Sequence, residues 1–219
     1  ESRRTEPLLD PRFFRSAPFS SSVACAVIAF AATGGFLFLN TLYLQEVRGM
    51  SPLSAGLMML PMAAASVVCA PIAGRLVGDR GARTPMVIGG VAMVAGALML
   101  TGLGNDTALV YVGASYLAFG LGFGFLNAPI TNGAVSGMPR TQAGLASAMA
   151  STGRQVGTAL GVAVFGAVAF AGIEGAVADD LAAAARPVWL IMALCGVAVL
   201  VLAIVSTGAW ARGTAARTR

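Results

Sequence analysis

Residues 144–172 read GLASAMASTGRQVGTALGVAVFGAVAFAG. This stretch is apolar, rich in small residues, and long enough as a helix to cross a hydrocarbon core roughly 30 Å thick. Its one charged residue is Arg154, which would lie about 15 Å along that helix, near the middle of the core. Because a charge at that depth is costly, it is a functional-site hypothesis by default. The stretch therefore predicts a membrane helix that carries a potential functional arginine.

The composition of the whole chain also indicates a membrane protein. The chain has 219 residues, of which 57% are hydrophobic and 11% are charged, whereas a soluble domain carries about 25% charged residues. There are 28 glycines, which suits close helix packing in membranes. There is no histidine, which excludes histidine-based catalysis and histidine metal sites. We therefore expect a protein that is not an enzyme, with no catalytic residue, no cofactor and no metal site.

Six apolar runs are each long enough to span a bilayer, so we predict an all-α membrane protein. Residues 1–16 are interpreted as a cytoplasmic connector, residues 17–211 as a six-helix transmembrane bundle, and residues 212–219 as a cytoplasmic tail. Trp189 and Trp210, near the two ends of the last run, suit the two membrane interfaces. The chain begins without a signal-peptide pattern, and we expect it to be part of a longer protein. The predicted spans are 19–42, 54–77, 85–103, 108–135, 144–172 and 187–211.

Arginine residues in the connecting segments predict the orientation of the bundle. All the basic residues are arginines, and eleven of the fourteen lie on one side of the predicted membrane, while Arg48 and Arg186 lie on the other. Short segments rich in arginine stay in the cytoplasm, so we expect a multi-pass protein of the plasma membrane with both termini cytoplasmic. The segments around Glu46, Asp106 and residues 174–180 should face outward. This distribution is typical of a topology signal rather than of a nucleic-acid interface.

The second connection, residues 73–86, reads AGRLVGDRGARTPM. Its glycines permit a tight turn between two helices, and Asp79 can accept hydrogen bonds from an arginine or from a helix N-terminus. Two interpretations stay open: a charged latch that opens and closes with conformation, or a turn that only fixes topology. The candidate conformational residues are Gly74, Asp79, Arg80, Gly81 and Arg83.

This connection resembles the signature loop of the major facilitator superfamily, Gly-x-Leu-x-Asp-Arg-x-Gly-Arg-Arg. Gly74, Leu76, Gly81 and Arg83 keep the spacing of the loop. The Asp79-Arg80 pair is displaced by one residue, and Gly78 stands where the aspartate is usual. The resemblance implies a transporter fold.

Other stretches are similar to the fourteen-span drug:proton antiporter branch of this superfamily. They are LDPRFFR at 9–15, TLYLQEVRGMSPLSAGLMMLP at 41–61, GLGFGFLNAP at 120–129, and residues 144–166. The resemblance implies that these helices are the last six of fourteen, with a missing amino-terminal half as partner. It also implies proton-coupled multidrug efflux of amphipathic organic molecules, often cations, by alternating access. GGFLFLN at 34–40 and GFGFLN at 122–127 are themselves similar, which fits a half built as a 3+3 inverted repeat.

The predicted fifth helix carries the candidate site. Gly153, Gly157 and Gly161 form a ridge on which a neighbouring helix can pack closely. One interpretation makes Arg154 a brace that pairs with carbonyls or with Asn127 or Asn132. The other places it in the central cavity, in substrate binding, coupling or gating. The candidate pathway residues are Arg154, Gln155, Asn127 and Asn40.

Glycines also interrupt the predicted fourth helix, at positions 120, 122 and 124. Together with Pro129 they could form a flexible gate or a kink, and we favour the kink.

No aspartate or glutamate lies inside a predicted span. A proton-coupled exporter needs a titratable group in its pathway, so we expect that group in the missing half. The predicted partners are that half, the lipid bilayer, an amphipathic organic substrate and protons, with no nucleic acid. Two alternatives stay open: an exporter of one specific metabolite or antibiotic, and a self-contained six-helix membrane protein such as an intramembrane enzyme or a channel subunit.

Overall fold

The computed structural model describes residues 16–136 and 142–206. Within these ranges the chain forms α-helices, one short π-helical segment and no strand. The predicted tail, most of the connector, Arg140 and Trp210 lie outside them. The helices are α1 (Ala17–Leu42), continued by the π-helical segment Tyr43–Val47, α2 (Pro52–Met58), α3 (Leu60–Arg80), α4 (Arg83–Leu100), α5 (Leu109–Ser136), α6 (Ala143–Phe170), α7 (Val177–Ala184) and α8 (Arg186–Ser206).

These helices combine into six segments that are long and apolar enough to cross a membrane. α1 with the π-helical segment forms the first, α2 with α3 the second, and α7 with α8 the sixth, while α4, α5 and α6 each form one. The prediction of an all-α protein with six membrane helices is confirmed.

Two helix starts have local chemical reasons. Ser51 precedes α2, and its hydroxyl accepts a hydrogen bond from the backbone N–H of Ser54 at 3.3 Å, which caps the helix start. The second segment breaks at Met59, just before Pro61. Proline lacks an N–H donor and is tolerated mainly in a first helical turn, so α3 begins there.

The sixth segment begins further upstream than residue 187. α7 starts at Val177, with Asp179 and Asp180 in its first turn, where acidic side chains favour a helix. The Asp180 carboxylate accepts hydrogen bonds from the backbone N–H groups of Glu174 (3.2 Å) and Gly175 (2.7 Å). The Trp189 side chain, expected near a membrane interface, is 2% exposed and packs in the core.

The helix pairs follow the pattern of an inverted repeat. α1 packs along α6, and α3 packs along α5, while α4 lies between α5 and α8. The first helix of each three-helix unit thus packs on the second helix of the other unit. This arrangement is consistent with half of a major-facilitator-type fold.

One end of the bundle is held together by hydrogen bonds between connecting segments. The Tyr43 hydroxyl donates to the carbonyl of Gly104 at 2.8 Å, and the Arg48 guanidinium donates to the carbonyl of Thr107 at 2.6 Å. These contacts tie the π-helical segment to the α4–α5 connection, which is the side predicted to face outward.

Candidate functional site

Close backbone contact with α1 sets the position of α6. A Cβ atom added to Gly157 or Gly161 would overlap the backbone carbonyl of Val27 or Ala31, respectively. On α1, a Cβ added to Gly34 would lie 2.5 Å from the carbonyl oxygen of Thr158. Small residues let helix backbones approach in this way. Gly153, the first residue of the ridge, is packed less tightly, because a Cβ added there would lie 3.5 Å from the nearest carbonyl oxygen of α1.

Arg154 lies beside this ridge and links three helices. Its Nη2 atom donates a hydrogen bond to Thr131 Oγ1 on α5, and its guanidinium carbon lies 5.6 Å from the ring centroid of Phe30 on α1. A guanidinium at this distance is attracted by the electron-rich face of the ring. The half-buried Arg154 side chain therefore connects α6 to both α1 and α5.

The Arg154 charge has no carboxylate partner among the residues that the structure describes. Its Nε atom is buried and makes no hydrogen bond there. The acidic residues in the described ranges all lie at helix ends or between helices, at Glu46, Asp79, Asp106, Glu174, Asp179 and Asp180. The positive charge of Arg154 is thus balanced only by a neutral hydroxyl and an aromatic ring in this part of the chain.

The partner of Arg154 is Thr131, which sequence reasoning missed, rather than the side chain of Asn127 or Asn132. Asn127 Nδ2 donates to the carbonyl of Phe123 in its own helix at 3.2 Å. Its backbone carbonyl accepts from the Thr131 hydroxyl at 3.1 Å, which leaves the Thr131 oxygen free to accept from Arg154. The signal in the sequence was the four-residue spacing of Asn127 and Thr131, which places them on one helix face.

Asn40 lies apart from these residues. It is fully buried, and its Nδ2 atom donates to the carbonyl of Phe36 at 2.9 Å, which is the same i−4 bond that Asn127 makes to Phe123. The two similar motifs therefore have the same local geometry, in keeping with a repeat. The Asn40 Oδ1 atom has no partner in the described residues. The structure does not bring Asn40 together with Arg154 or Gln155.

Exposed polar side chains surround Arg154. We call this surface the polar face, and it comprises Thr131, Asn132, Ser147, Ser151, Arg154 and Gln155, all exposed except the half-buried arginine. Ser147, Ser151 and Gln155 repeat every four residues and so lie on one side of α6. By contrast, large exposed side chains along α4 and α8 are apolar, among them Val91, Leu98, Leu194 and Val201. Surfaces that meet lipid are apolar, so the polar face is suited to water or to another polypeptide.

An apolar groove of about 390 Å³ adjoins the polar face between α1 and α6. Thr158 lies in it, one helical turn beyond Arg154. The hydroxyls of Thr158 and Thr41 donate to carbonyls of their own helices, at 2.9 Å to Arg154 and 2.6 Å to Leu37. The groove walls are therefore almost free of unpaired polar groups. The lining residues are Gly34, Leu37, Phe38, Thr41, Leu42, Thr158 and Val162.

The candidate conformational loop lies at the opposite end of the bundle from Tyr43. Gly81 ends α3 with φ +79° and ψ 173°, a conformation that is essentially restricted to glycine. Gly74, Asp79, Arg80 and Arg83 are all exposed. Within the described ranges Asp79 forms no ion pair, so no closed charge latch is present there.

The turn at Gly81 borders a cleft of about 420 Å³. Arg80 and Arg83 line it together with Ser22 of α1, Gly133 of α5 and Ser206 of α8. Five helix ends, those of α1, α3, α4, α5 and α8, therefore meet at the side that the arginine distribution predicts to be cytoplasmic.

The glycines of α5 contact two neighbouring helices. A Cβ on Gly124 would lie 2.8 Å from Cys69 Cβ of α3, and one on Gly122 would lie 2.5 Å from the backbone nitrogen of Met93 in α4. A Cβ on Gly120 would overlap the carbonyl of Met62. Close packing on both sides is a reason for glycine at these positions, and the kink expected here together with Pro129 stays a prediction.

Comparison with known proteins agrees with the fold. Residues 2–162 match the family described as Major Facilitator Superfamily. The chain belongs to this superfamily. The resemblance found in the signature loop is confirmed, and the superfamily is one of transporters.

The relatives that the chain matches include proteins named for drug resistance, export or efflux. The chain is 38% identical over 169 residues to "Multidrug resistance protein Stp" of Mycobacterium tuberculosis, which covers 77% of this chain and 31% of the relative. It is 34% identical over 188 residues to "Tetracenomycin C resistance and export protein" of Streptomyces glaucescens, which covers 85% of this chain and 35% of that relative. It is 30% identical over 168 residues to "Multidrug efflux pump LfrA" of Mycolicibacterium smegmatis, which covers 77% of this chain and 33% of that relative. The chain thus spans about a third of the length of the curated relatives it matches.

Proposed function

We propose that the chain is the carboxy-terminal half of a proton-coupled multidrug efflux antiporter. This transporter moves amphipathic organic molecules across the plasma membrane by alternating access, with both termini in the cytoplasm. The observation that carries the proposal is the polar face, an exposed polar surface around Arg154 on a bundle whose other exposed helix surfaces are largely apolar.

The polar face is proposed to form one wall of the transport pathway. In the superfamily the amino-terminal half would lie opposite, so the polar side chains would border a water-accessible cavity instead of lipid. Arg154 and Gln155 would contact the substrate, while Asn127 would orient Thr131 through its carbonyl. Full burial of Asn40 removes it from the wall, so we do not include it in the pathway.

Proton coupling is proposed to come from the other half of the transporter. None of the acidic residues in the described ranges lies in the middle of a membrane segment, whereas coupling needs a titratable group within the pathway. The exposed loop with Gly74, Asp79, Arg80, Gly81 and Arg83 is proposed to change its contacts as the two halves move.

Transport by inverted membrane vesicles containing the full-length transporter tests this function. An imposed proton gradient should drive uptake of several unrelated amphipathic dyes, and a protonophore should abolish it. Arg154→Ala should lower uptake of at least one of the dyes tenfold or more at equal expression, whereas Leu194→Ala on the exposed surface of α8 should leave uptake of every dye unchanged. Normal expression and normal uptake by both Arg154→Ala and Arg154→Lys would show that Arg154 is neither a site nor a necessary brace.

A second candidate function is the export of one specific compound. The 34% identity to a relative named for tetracenomycin C resistance and export favours it. The same vesicles discriminate the two, because a specific exporter would accumulate one compound of a chemically varied panel and leave the dyes outside. Activity of this chain alone in liposomes would instead support a self-contained six-helix protein.

A further inference from the structure

The polar face and the adjoining groove indicate the substrate class, an inference that depends on the proposed function. We propose that they bind an organic anion, in which a carboxylate or phenolate lies at Arg154 and an apolar body fills the groove between α1 and α6. This differs from the lipophilic cations that the family resemblance implies.

The hydrogen-bonding capacity of Arg154 is the first reason. A guanidinium has five N–H donors and no acceptor, and only Nη2 has a partner in the described residues, the hydroxyl of Thr131. The buried Nε makes no hydrogen bond there. Carboxylates bind guanidinium groups through two parallel hydrogen bonds, so unused donors next to an exposed polar surface suit an acidic group.

The charge of the polar face is the second reason. Arg154 is its one charged residue, and no carboxylate of the described ranges lies near the middle of a span. A cationic substrate would be repelled by Arg154 and would find no carboxylate near the middle of a span among the described residues. An anionic substrate would neutralise a charge that is otherwise costly in a low-dielectric site.

The groove supplies the apolar part of the site. Its volume of about 390 Å³ lies within the range of roughly 300–1,000 Å³ typical of small-molecule sites. Thr158 and Val162 continue the stripe of α6 that carries Ser151 and Gln155, because each step is three or four residues. An acidic head at Arg154 and an apolar body beside Val162 would therefore lie along one face of one helix.

Three probes applied to the full-length transporter in proteoliposomes test the proposal. They are an aromatic carboxylic acid, its methyl ester, and a lipophilic cation of similar size. For the wild type we expect transport of the acid. Arg154→Gln should reduce transport of the acid at least tenfold while changing transport of the ester and the cation less than twofold, and Arg154→Lys should retain part of the acid transport.

Gln155→Glu is a second variant that does not disturb a buried contact, because Gln155 is exposed. A carboxylate beside Arg154 should compete with the acid and lower its transport at least tenfold, and it should increase transport of the cation. Asn105→Glu, in the exposed connection between α4 and α5 and outside the polar face, serves as the matched control for the added carboxylate.

Each contrary result has a separate meaning. An equal loss of transport of all three probes in Arg154→Gln would overturn the proposal and would assign Arg154 to an ion pair or a brace within the protein. Wild-type transport of the ester and the cation but not the acid would also overturn it, while leaving the proposed function intact. Absence of wild-type transport of every probe would overturn the proposed function itself.

Discussion

Arg154 of α6 donates a hydrogen bond to the hydroxyl of Thr131 on α5. This contact joins two helices that otherwise touch little compared with the α1–α6 and α3–α5 pairs. It holds the guanidinium beside the ring of Phe30 and keeps it at the surface of the bundle. The orientation of the charge therefore depends on a neutral partner, and the surface around it stays positive.

Replacement of Thr131 tests this contact. Thr131→Val preserves the shape of the side chain but removes the acceptor, so the unfolding free energy should fall by about 1–3 kcal/mol as the Arg154 donor loses its partner. Thr131→Ser keeps the hydroxyl and should change stability little. Thermal unfolding of the purified protein in detergent measures both, and equal stability of the two variants would show that the hydrogen bond contributes nothing.

Replacement of glycines on α6 tests the contact of α6 with α1. Gly161→Ala should lower stability by about 1–3 kcal/mol, because the new methyl group overlaps the carbonyl of Ala31 and forces the helices apart. Gly144→Ala, in the same helix but with open space around it, should be neutral or stabilising by up to about 1 kcal/mol, since alanine favours helix. The reverse order of melting temperatures would contradict the close packing.

Replacement of Gly81 tests the turn between α3 and α4. Gly81→Ala should cost about 1–3 kcal/mol, because φ +79° with ψ 173° is strained for any residue with a side chain. Gly78→Ala, three residues earlier in α3 and free of neighbours, is the matched control. If the turn also changes conformation during transport, Gly81→Ala should transport less than the wild type at equal expression. A melting temperature of Gly81→Ala equal to that of the wild type would rule out the strain.

Two buried tyrosines should respond in opposite ways to loss of the hydroxyl. Tyr116 is fully buried, and its hydroxyl makes no hydrogen bond in the described residues. Tyr43 donates to the carbonyl of Gly104 at 2.8 Å. Tyr116→Phe should therefore be neutral or stabilising, whereas Tyr43→Phe should cost roughly 0.5–1.5 kcal/mol. The melting temperatures of the two variants, measured side by side, test this. A lower melting temperature for Tyr116→Phe than for Tyr43→Phe would contradict this account.

Much of the fold could be predicted from the sequence, because apolar length alone determines how many helices can cross a membrane. The starts of helices were harder to predict, since they depend on local chemistry such as Pro61 in the first turn of α3 and Asp180 in the first turn of α7. The neighbour on which each helix packs was harder still to predict. The Gly153/Gly157/Gly161 ridge predicted a close neighbour on α6, but only the structure identifies it as α1.

The candidate site was predictable in part. Arg154 was identifiable because an isolated charge within an apolar stretch is rare, and Gln155 followed from its position beside it. Thr131 and Phe30 were not identifiable, because their role depends on how α1 and α5 are rotated toward α6. The burial of Asn40 was also hidden, since its sequence context is nearly the same as that of Asn127.

Thiol accessibility tests the central claim, that the polar face borders an aqueous transport pathway. In the full-length transporter with Cys25, Cys69 and Cys195 replaced, single cysteines would be placed at Ser151 and Gln155 and, as matched controls on α8, at Leu194 and Val201. A membrane-impermeant thiol reagent should label the first two at least tenfold faster than the controls, and a transported substrate should slow that labelling. Equally slow labelling at all four positions would contradict the claim.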